Sequence, residues 1–241
     1  MDYSYLGVGK IYMRIAGAAA ALVEIGNASQ LDLTPVSDQK ELVDYTALGG
    51  GLQNSVQRVK SVDLSFIAHD LSPDNLARGL WGGVTPITTA AVTAEAVTAR
   101  LGGLVRLANV ASAVSAVKKG ATTFVAGTDY EVRAGGIFIF TAGAIVEADA
   151  LTVDYTKADA DVVQAFVNSS QEYEMVFEGL NEARSGKAVV TDIYRVRLSA
   201  AKKISLIGAD YAALEITGKV LKDSTKTGTG ISQYFKSTLV R

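Results

Sequence analysis

The stretch Ser61-Val62-Asp63-Leu64-Ser65-Phe66 decides the fold, because every second residue is apolar and the residues between are small or acidic. A period of two places Val62, Leu64 and Phe66 on one face of an extended chain and Ser61, Asp63 and Ser65 on the other. That is a strand with one buried face. The same pattern recurs outward along the chain. Tyr173, Met175 and Phe177 oppose Glu172, Glu174 and Glu178, and Tyr194, Val196 and Leu198 alternate with Arg195 and Arg197. Ile204 with Leu206, then Leu214 with Ile216, continue it. Short alternating segments punctuated by Gly, Asn, Asp and Ser predict many antiparallel strands, so the fold class is mainly β.

One helix interrupts the strands. Ser72 suits the N-cap and Pro73 the first helical position, Leu76 and Leu80 lie one turn apart beside Ala77 and Trp81, and Gly82-Gly83 stop it. The expectation is a short helix lying against a sheet and burying Trp81. Beyond it the texture changes: residues 84–160 are rich in Ala, Val, Thr and Gly and read as an inserted small β domain between core segments 1–83 and 161–241. The insertion's second half holds Thr123-Phe124-Val125, a segment over 127–132, a turn at Gly135-Gly136, a buried strand over 137–140 and Leu151-Thr152-Val153-Asp154-Tyr155. Residues 157–161 read as a polar return linker.

Composition bounds the function. With 49% hydrophobic and 20% charged residues the chain is a folded protein rather than a disordered one. The net charge of -2 supplies no surplus of cations to displace counterions from a phosphate backbone, which disfavours specific nucleic-acid binding. Segment by segment, acids and bases number 9 and 6 over 1–83, 7 and 6 over 84–160, and 9 and 11 over 161–241, so no segment is strongly polarised. The absence of cysteine excludes disulfides, thiolate metal sites and cysteine nucleophiles. The opening Met1-Asp2-Tyr3-Ser4-Tyr5 is acidic and aromatic where an export signal is basic and then apolar, and no apolar run approaches the roughly 18 residues of a membrane span. A soluble chain without membrane insertion is expected.

Candidate chemistry is thin. His69, the sole histidine, stands beside Asp70 and Ser72, but triad members converge from separate elements and no Gly-x-Ser-x-Gly elbow is present. His69 therefore reads as the end of a strand. Gly7-Val8-Gly9 lacks the third glycine of a dinucleotide fingerprint and reads as a flexible arm. Gly49, Gly50 and Gly51 lack the Lys-Ser or Lys-Thr of a phosphate loop; they read either as a mobile hairpin tip or as a loop ordered by a neighbouring subunit. Glu172, Glu174 and Glu178 share one strand face, whereas catalytic carboxylates need contrasting environments, so a solvated face partnered by Arg195 or Arg197 is expected. Asp149, Asp154, Asp159 and Asp161 do not match a calcium loop, and the triplets Asn27-Ala28-Ser29 and Asn168-Ser169-Ser170 carry no weight as glycosylation sites without an export signal. No catalytic residue, cofactor or metal is assigned.

In order and spacing, several segments resemble the major tail tube proteins of long-tailed, non-contractile bacteriophages. They are Gly9-Lys10-Ile11-Tyr12-Met13, Leu42-Val43-Asp44-Tyr45 with the glycine loop, 59–66, Asp70-Leu71-Ser72 with the helix, Phe177-Glu178-Gly179-Leu180-Asn181, Tyr194-Arg195-Val196-Arg197-Leu198 and 206–218. Within the insertion, the segment 127–155 is similar to the immunoglobulin-like or related modules carried by phage tail proteins. The resemblance implies a tail-tube-type β-sandwich flanked by one short helix, and a non-enzymatic virion protein whose hexameric rings stack into a hollow tube. Double-stranded DNA passes through that tube without sticking. Expected partners are copies of the chain and the tape-measure, tail-tip and tail-terminator proteins, with assembly in the bacterial host cytoplasm and the virion tail as destination. It implies too that residues 45–60 form a stacking arm, with Tyr45, Leu48, Gly49, Gly50, Gly51, Leu52 and Gln53 at the inter-ring contact. Glu172, Glu174 and Glu178 become an acidic row facing the lumen, and the module projects outward. The inner tube of a contractile tail or a phage-derived particle fits the same pattern. An adhesive, carbohydrate-binding β-sandwich is the competing class.

Overall fold

A computed structural model describes residues 4–46 and 48–241. Met1, Asp2 and Tyr3, which enter the reading of the chain's start, and Ala47, within the expected arm, lie outside the described residues. The chain forms β1 (Gly7–Ile15), β2 (Val23–Glu24), β3 (Ala28–Val43), β4 (Leu52–Ala68) and α1 (Pro73–Leu80). It continues through β5 (Gly83–Ile87), β6 (Ala90–Thr98), β7 (Leu104–Arg106), β8 (Ala111–Lys119), β9 (Thr122–Phe124), β10 (Tyr130–Arg133), β11 (Gly136–Ile139), β12 (Ala150–Lys157) and β13 (Ala160–Gln164). The return comprises β14 (Glu172–Asn181), β15 (Lys187–Leu198), β16 (Leu214–Val220) and β17 (Phe235–Leu239). The protein is mainly β with one α-helix among the described residues. Two compact units emerge, 1–84 with 163–241, and 85–162.

The first unit is one antiparallel sheet in the order β2-β1-β14-β15-β16-β4-β3, with β17 added to β15. Strands from both ends of that order feed a single core: Ile11 and Met13 from β1, Met175 from β14, Ile193 from β15, Ile216 from β16, and Leu64 and Phe66 from β4, with Leu31 and Leu33 of β3 packed against them. Burying each such side chain contributes roughly 1.5–3 kcal/mol. The alternation at 61–66 is observed as read, with Val62, Leu64 and Phe66 buried.

Three details of this unit differ from expectation. On β15, Val196 and Leu198 are buried but Tyr194 is not; Ile193 fills the core instead. The cause is a bulge, since two steps on β14 between Tyr173 and Met175 match three on β15 between Val196 and Ile193, and the extra residue reverses which side chains face inward. Ile204 and Leu206 belong to no strand. Leu198 already pairs with Gly218 of β16, and the chain from 199 to 213 serves as the connection from β15 to β16. Gly7-Val8-Gly9 is not flexible but the start of β1, paired with β14 from Gly7↔Asn181 to Ile15↔Tyr173. Glycine is required at residue 9, where a Cβ would lie 2.3 Å from the Glu178 carbonyl oxygen and 2.6 Å from Gly179 Cα.

Helix α1 begins as read: the Ser72 hydroxyl accepts the Asn75 N–H at 3.2 Å and Pro73 follows it. Its buried face is Asn75 and Gly79, however, not Leu76 and Leu80, and Trp81 is half-buried. A Cβ on Gly79 would sit 2.9 Å from a methyl of Leu214, so the helix backbone itself lies on the sheet. Asn75 Nδ2 donates to the carbonyls of Ile25 (2.7 Å) and Asp70 (2.8 Å), and Oδ1 accepts from Arg78 (2.8 Å), which satisfies the buried amide. Trp81, at φ 49, caps the C-terminus and donates its indole N–H to Leu198 O.

The second unit places the four-stranded sheet β6-β12-β8-β9 and the three-stranded sheet β10-β11-β7 around one core that includes Val117, Ile137, Ile139, Leu151, Val153 and Tyr155. The β10–β11 turn falls on Ala134 and Gly135, because Arg133 pairs with Gly136. Gly136 is reserved for close approach, at φ 145 with a would-be Cβ 2.1 Å from Val105 O. At the return, residues 157–161 include the end of β12 at Lys157 and the start of β13 at Ala160, and β13 pairs with β5.

Candidate assembly surface

Strands β3 and β4 pair from Ala28↔Ala68 out to Val43↔Leu52. Only the proximal half of this hairpin has a core. On β3 from Ser37 to Val43 and on β4 from Leu52 to Lys60 every residue is exposed, so a two-stranded arm stands free of the sheet. At about 3.4 Å per residue, the nine residues from Leu52 to Lys60 extend it by about 31 Å. A bulge at its base, where Val36↔Ser61 steps to Ser37↔Val59, breaks the inward alternation of β4.

A two-stranded ribbon without a core is marginal in water. Side-chain bonds stiffen this one: Gln57 donates to Ser37 Oγ (2.8 Å), and Gln39 donates to Ser55 Oγ (2.9 Å) and Glu41 (2.9 Å). At the tip, Asp44 N donates to Gly51 O (2.7 Å), while the Asp44 carboxylate accepts from the Thr46 hydroxyl (2.6 Å) and N–H (2.8 Å). The Thr46 hydroxyl, then its N–H, lowers the Asp44 pKa. Gly49 and Gly50 take φ 96 and 60, which L side chains rarely adopt. Around this turn Tyr45, Leu48 and Leu52 point into solvent, with Val56 and Val59 exposed along the arm. Gln53 is the extra residue of a second bulge, between Leu42↔Asn54 and Val43↔Leu52.

The glutamate row lies on the face of β14 opposite the core, and it is an ion-pair ladder rather than a bare acidic strip. Glu172 accepts from both Arg195 and Arg197, and Arg14 meets Glu174 at 2.6 Å. Lys10 stands opposite Glu178 in register and pairs with Glu24 at 3.0 Å. The Arg195 hydrogen bond, assisted by Arg197 and outweighing burial, holds Glu172 below the usual carboxylate range. Tyr12, between these groups, is raised by desolvation and then by its hydrogen bond with Glu178. The ladder continues across the sheet in Lys219–Asp63 (2.8 Å) and Lys236–Asp192 (3.1 Å). Towards one end this face turns apolar: Val8 pairs with Leu180, Leu180 with Ala188, and Val240 N donates to Ala188 O, with Val8, Leu180 and Val240 all exposed.

His69, Asp70 and Ser72 have structural work. The His69 N–H donates to Asn27 O (2.8 Å), the Asp70 carboxylate accepts the Asn27 N–H (3.0 Å), and Ser72 caps α1. Asp154 pairs with Lys118 (2.7 Å), Asp149 with Lys119 (2.5 Å), and Asp159 accepts the Thr89 N–H (2.5 Å). No cluster of three or more metal-ligating side chains occurs among the described residues, and no helix there is long and apolar enough to cross a membrane.

Sequence reading missed one exposed apolar segment, residues 199–213, in which Leu206, Ile207 and Tyr211 are almost wholly in solvent. The signal in the sequence is the apolar pair Leu206-Ile207 followed by Tyr211.

These features define a mainly β protein of two compact units that carries a free-standing hairpin arm and large apolar side chains in solvent. By sequence, the chain belongs to the family described as "Protein of unknown function UCP028589", whose model matches residues 4–238. A search of curated proteins gives no match.

Proposed function

We propose that the chain is a structural subunit that assembles with copies of itself into rings, and that the rings stack into a hollow tube of the kind found in phage tails. The observation that carries this reading is the arm of β3 and β4 beyond Ser37 and Lys60. Both of its faces are exposed and its tip is apolar, which suits an element made to be covered by a partner. Open strand edges add to it: among the described residues β3 pairs only with β4, and β1 is covered on that side from Ile11 to Met13, by β2 and the Ile25 N–H. A contact between unlike surfaces of identical subunits closes into rings or propagates into stacks.

In such a tube the ion-pair ladder on β1, β14 and β15 suits the lumen. Arg14, Arg195 and Arg197 are engaged by Glu174 and Glu172, so they offer no continuous cationic track to a sliding phosphate backbone. A folded module the size of residues 85–162 has no room in a channel that carries duplex DNA, and it belongs on the outside of the tube. The reading needs no cofactor and no catalysis. The inner tube of a contractile particle uses the same surfaces, and a sheath-binding assay separates the two. Light scattering of the purified protein against concentration tests the reading: growth from the 25.2 kDa chain to large species supports it, and a monomer at every concentration and salt overturns it.

A further inference from the structure

We infer that the arm tip of one copy docks in the groove lined by residues 203 and 205–213 of a second copy, making a head-to-tail contact that runs along the strands. This inference rests on the tube reading and adds the partner surface.

Direction comes from the sheet. Strand β4 leaves the arm, enters the core at Val62 and ends at Ala68, and β16 runs antiparallel to it, with Val220↔Val62 and Leu214↔Ala68. Residues 199–213 lead into Leu214. The groove therefore lies at the Ala68 end, opposite the arm, and Ile67 and Glu215 line it with Leu206, Ile207 and Tyr211. One copy presents a tip at one end of this strand pair and a cleft of about 560 Å³ at the other. Contacts between such unlike ends do not close between two copies; they add copies in line.

Charge and apolarity match across the two ends. The tip, residues 41–55, contains Glu41 and Asp44 and no Lys or Arg. Residues 199–213 contain Lys202 and Lys203 against Asp210. Lys202 is held by Glu215 at 2.6 Å, while Lys203 is exposed and has no ion pair among the described residues. Each surface carries large side chains that its own chain leaves bare: Tyr45 is 86% exposed, Ile207 98% and Tyr211 98%. A single exposed ion pair adds little to affinity, so apolar burial holds the contact and Lys203 against Asp44 or Glu41 sets its orientation.

The chain has no cysteine, so introduced thiols report the contact alone. Leu48→Cys and Ile207→Cys proteins are mixed and mildly oxidised, and the double variant is oxidised by itself. The expected result is a mixed 48–207 disulfide several-fold above either homodimer, and a ladder of covalent multimers from the double variant. Lys203→Glu should cut the mixed product several-fold, and Asp44→Lys in the partner should restore it. Homodimers equal to or above the mixed species, or no product, overturn the contact. Tubes in electron micrographs without the 48–207 link sink this contact and leave the tube reading standing. The link without rings or tubes keeps the contact and sinks the tube reading.

Discussion

Replacing Asn75 by Ala tests how α1 is held to its sheet. Asn75 is 3% exposed and its side chain makes three hydrogen bonds, to Ile25 O, to Asp70 O and from Arg78. Alanine removes all three. Ile25 is buried, so its carbonyl is left without that donor, at about 1–3 kcal/mol; Asp70 is exposed and its carbonyl returns to water at about 1 kcal/mol or less. Alanine's better helix propensity offsets roughly 0.5 kcal/mol. The expected net loss is about 0.5–3.5 kcal/mol and centres near 2, which at an m-value near 2–3 kcal/mol/M moves the urea midpoint down by roughly 0.7–1 M. Trp81 is the sole tryptophan and caps the same helix, so its fluorescence follows this unit rather than the inserted module. Asn75→Asp should be at least as damaging, because a carboxylate cannot donate to either carbonyl. A midpoint within about 0.2 M of the parent for both variants, under 0.6 kcal/mol on that m-value, refutes the reasoning.

Other expectations test separate elements. Ala94 is exposed at φ 54 in the bulge where β6 runs against Val153 and Tyr155, so Ala94→Gly should relieve left-handed strain and raise stability by roughly 0.5–1 kcal/mol; a lower melting temperature contradicts this. Gly9→Val should push β1 off β14 and cost at least about 1–3 kcal/mol in chemical denaturation, since its Cβ would meet backbone atoms of Glu178 and Gly179; an unchanged midpoint removes the close-approach argument. Asp129 accepts the N–H groups of Ala144 (2.7 Å) and Val125 (2.8 Å), and these bonds, Ala144 first, lower its pKa. The folded state therefore holds this proton more weakly than the unfolded state. Its contribution is complete above the unfolded carboxylate pKa near about 3.9 and fades as pH falls through the lower folded value. Melting profiles from pH 7 to 2 should show a module whose acid-induced loss is smaller in Asp129→Asn, which is also less stable at pH 7; identical pH slopes refute the role.

What was legible in the sequence follows from which rules act locally. Val62, Leu64 and Phe66 could be placed on one face because strand periodicity depends on neighbours alone, and Ser72-Pro73 announced a helix start because capping is equally local. Trp81 was misplaced because the helix approaches its sheet through Gly79, and a missing side chain leaves no hydrophobic signal. Asn75 was invisible as a core residue, since its burial depends on carbonyls at Ile25 and Asp70 that only the fold brings near. The β15 bulge reversed the inward set at Ile193 and Tyr194 with nothing in the alternation to announce it. The apolar tip at Tyr45, Leu48 and Leu52 could be named, but not its freedom from the core. Ile204 and Leu206 fit the strand pattern because alternation says nothing about whether a partner strand lies beside them, and the exposure of Ile207 and Tyr211 has no periodic signal at all. Glu172 and Glu174 were rightly placed with basic cross-strand partners, yet the extent of the ladder through Lys10, Arg14, Lys219 and Lys236 depends on strand order.

The central claim is self-assembly through the arm. Negative-stain electron microscopy of concentrated protein, beside a variant in which residues 43–53 are replaced by a two-residue turn, tests it most directly. The account predicts rings or tubes from the parent and no stacked tubes from the shortened protein, with both folded by circular dichroism. Dispersed single subunits from the parent under every condition, or tubes that form equally well without the arm tip, contradict it.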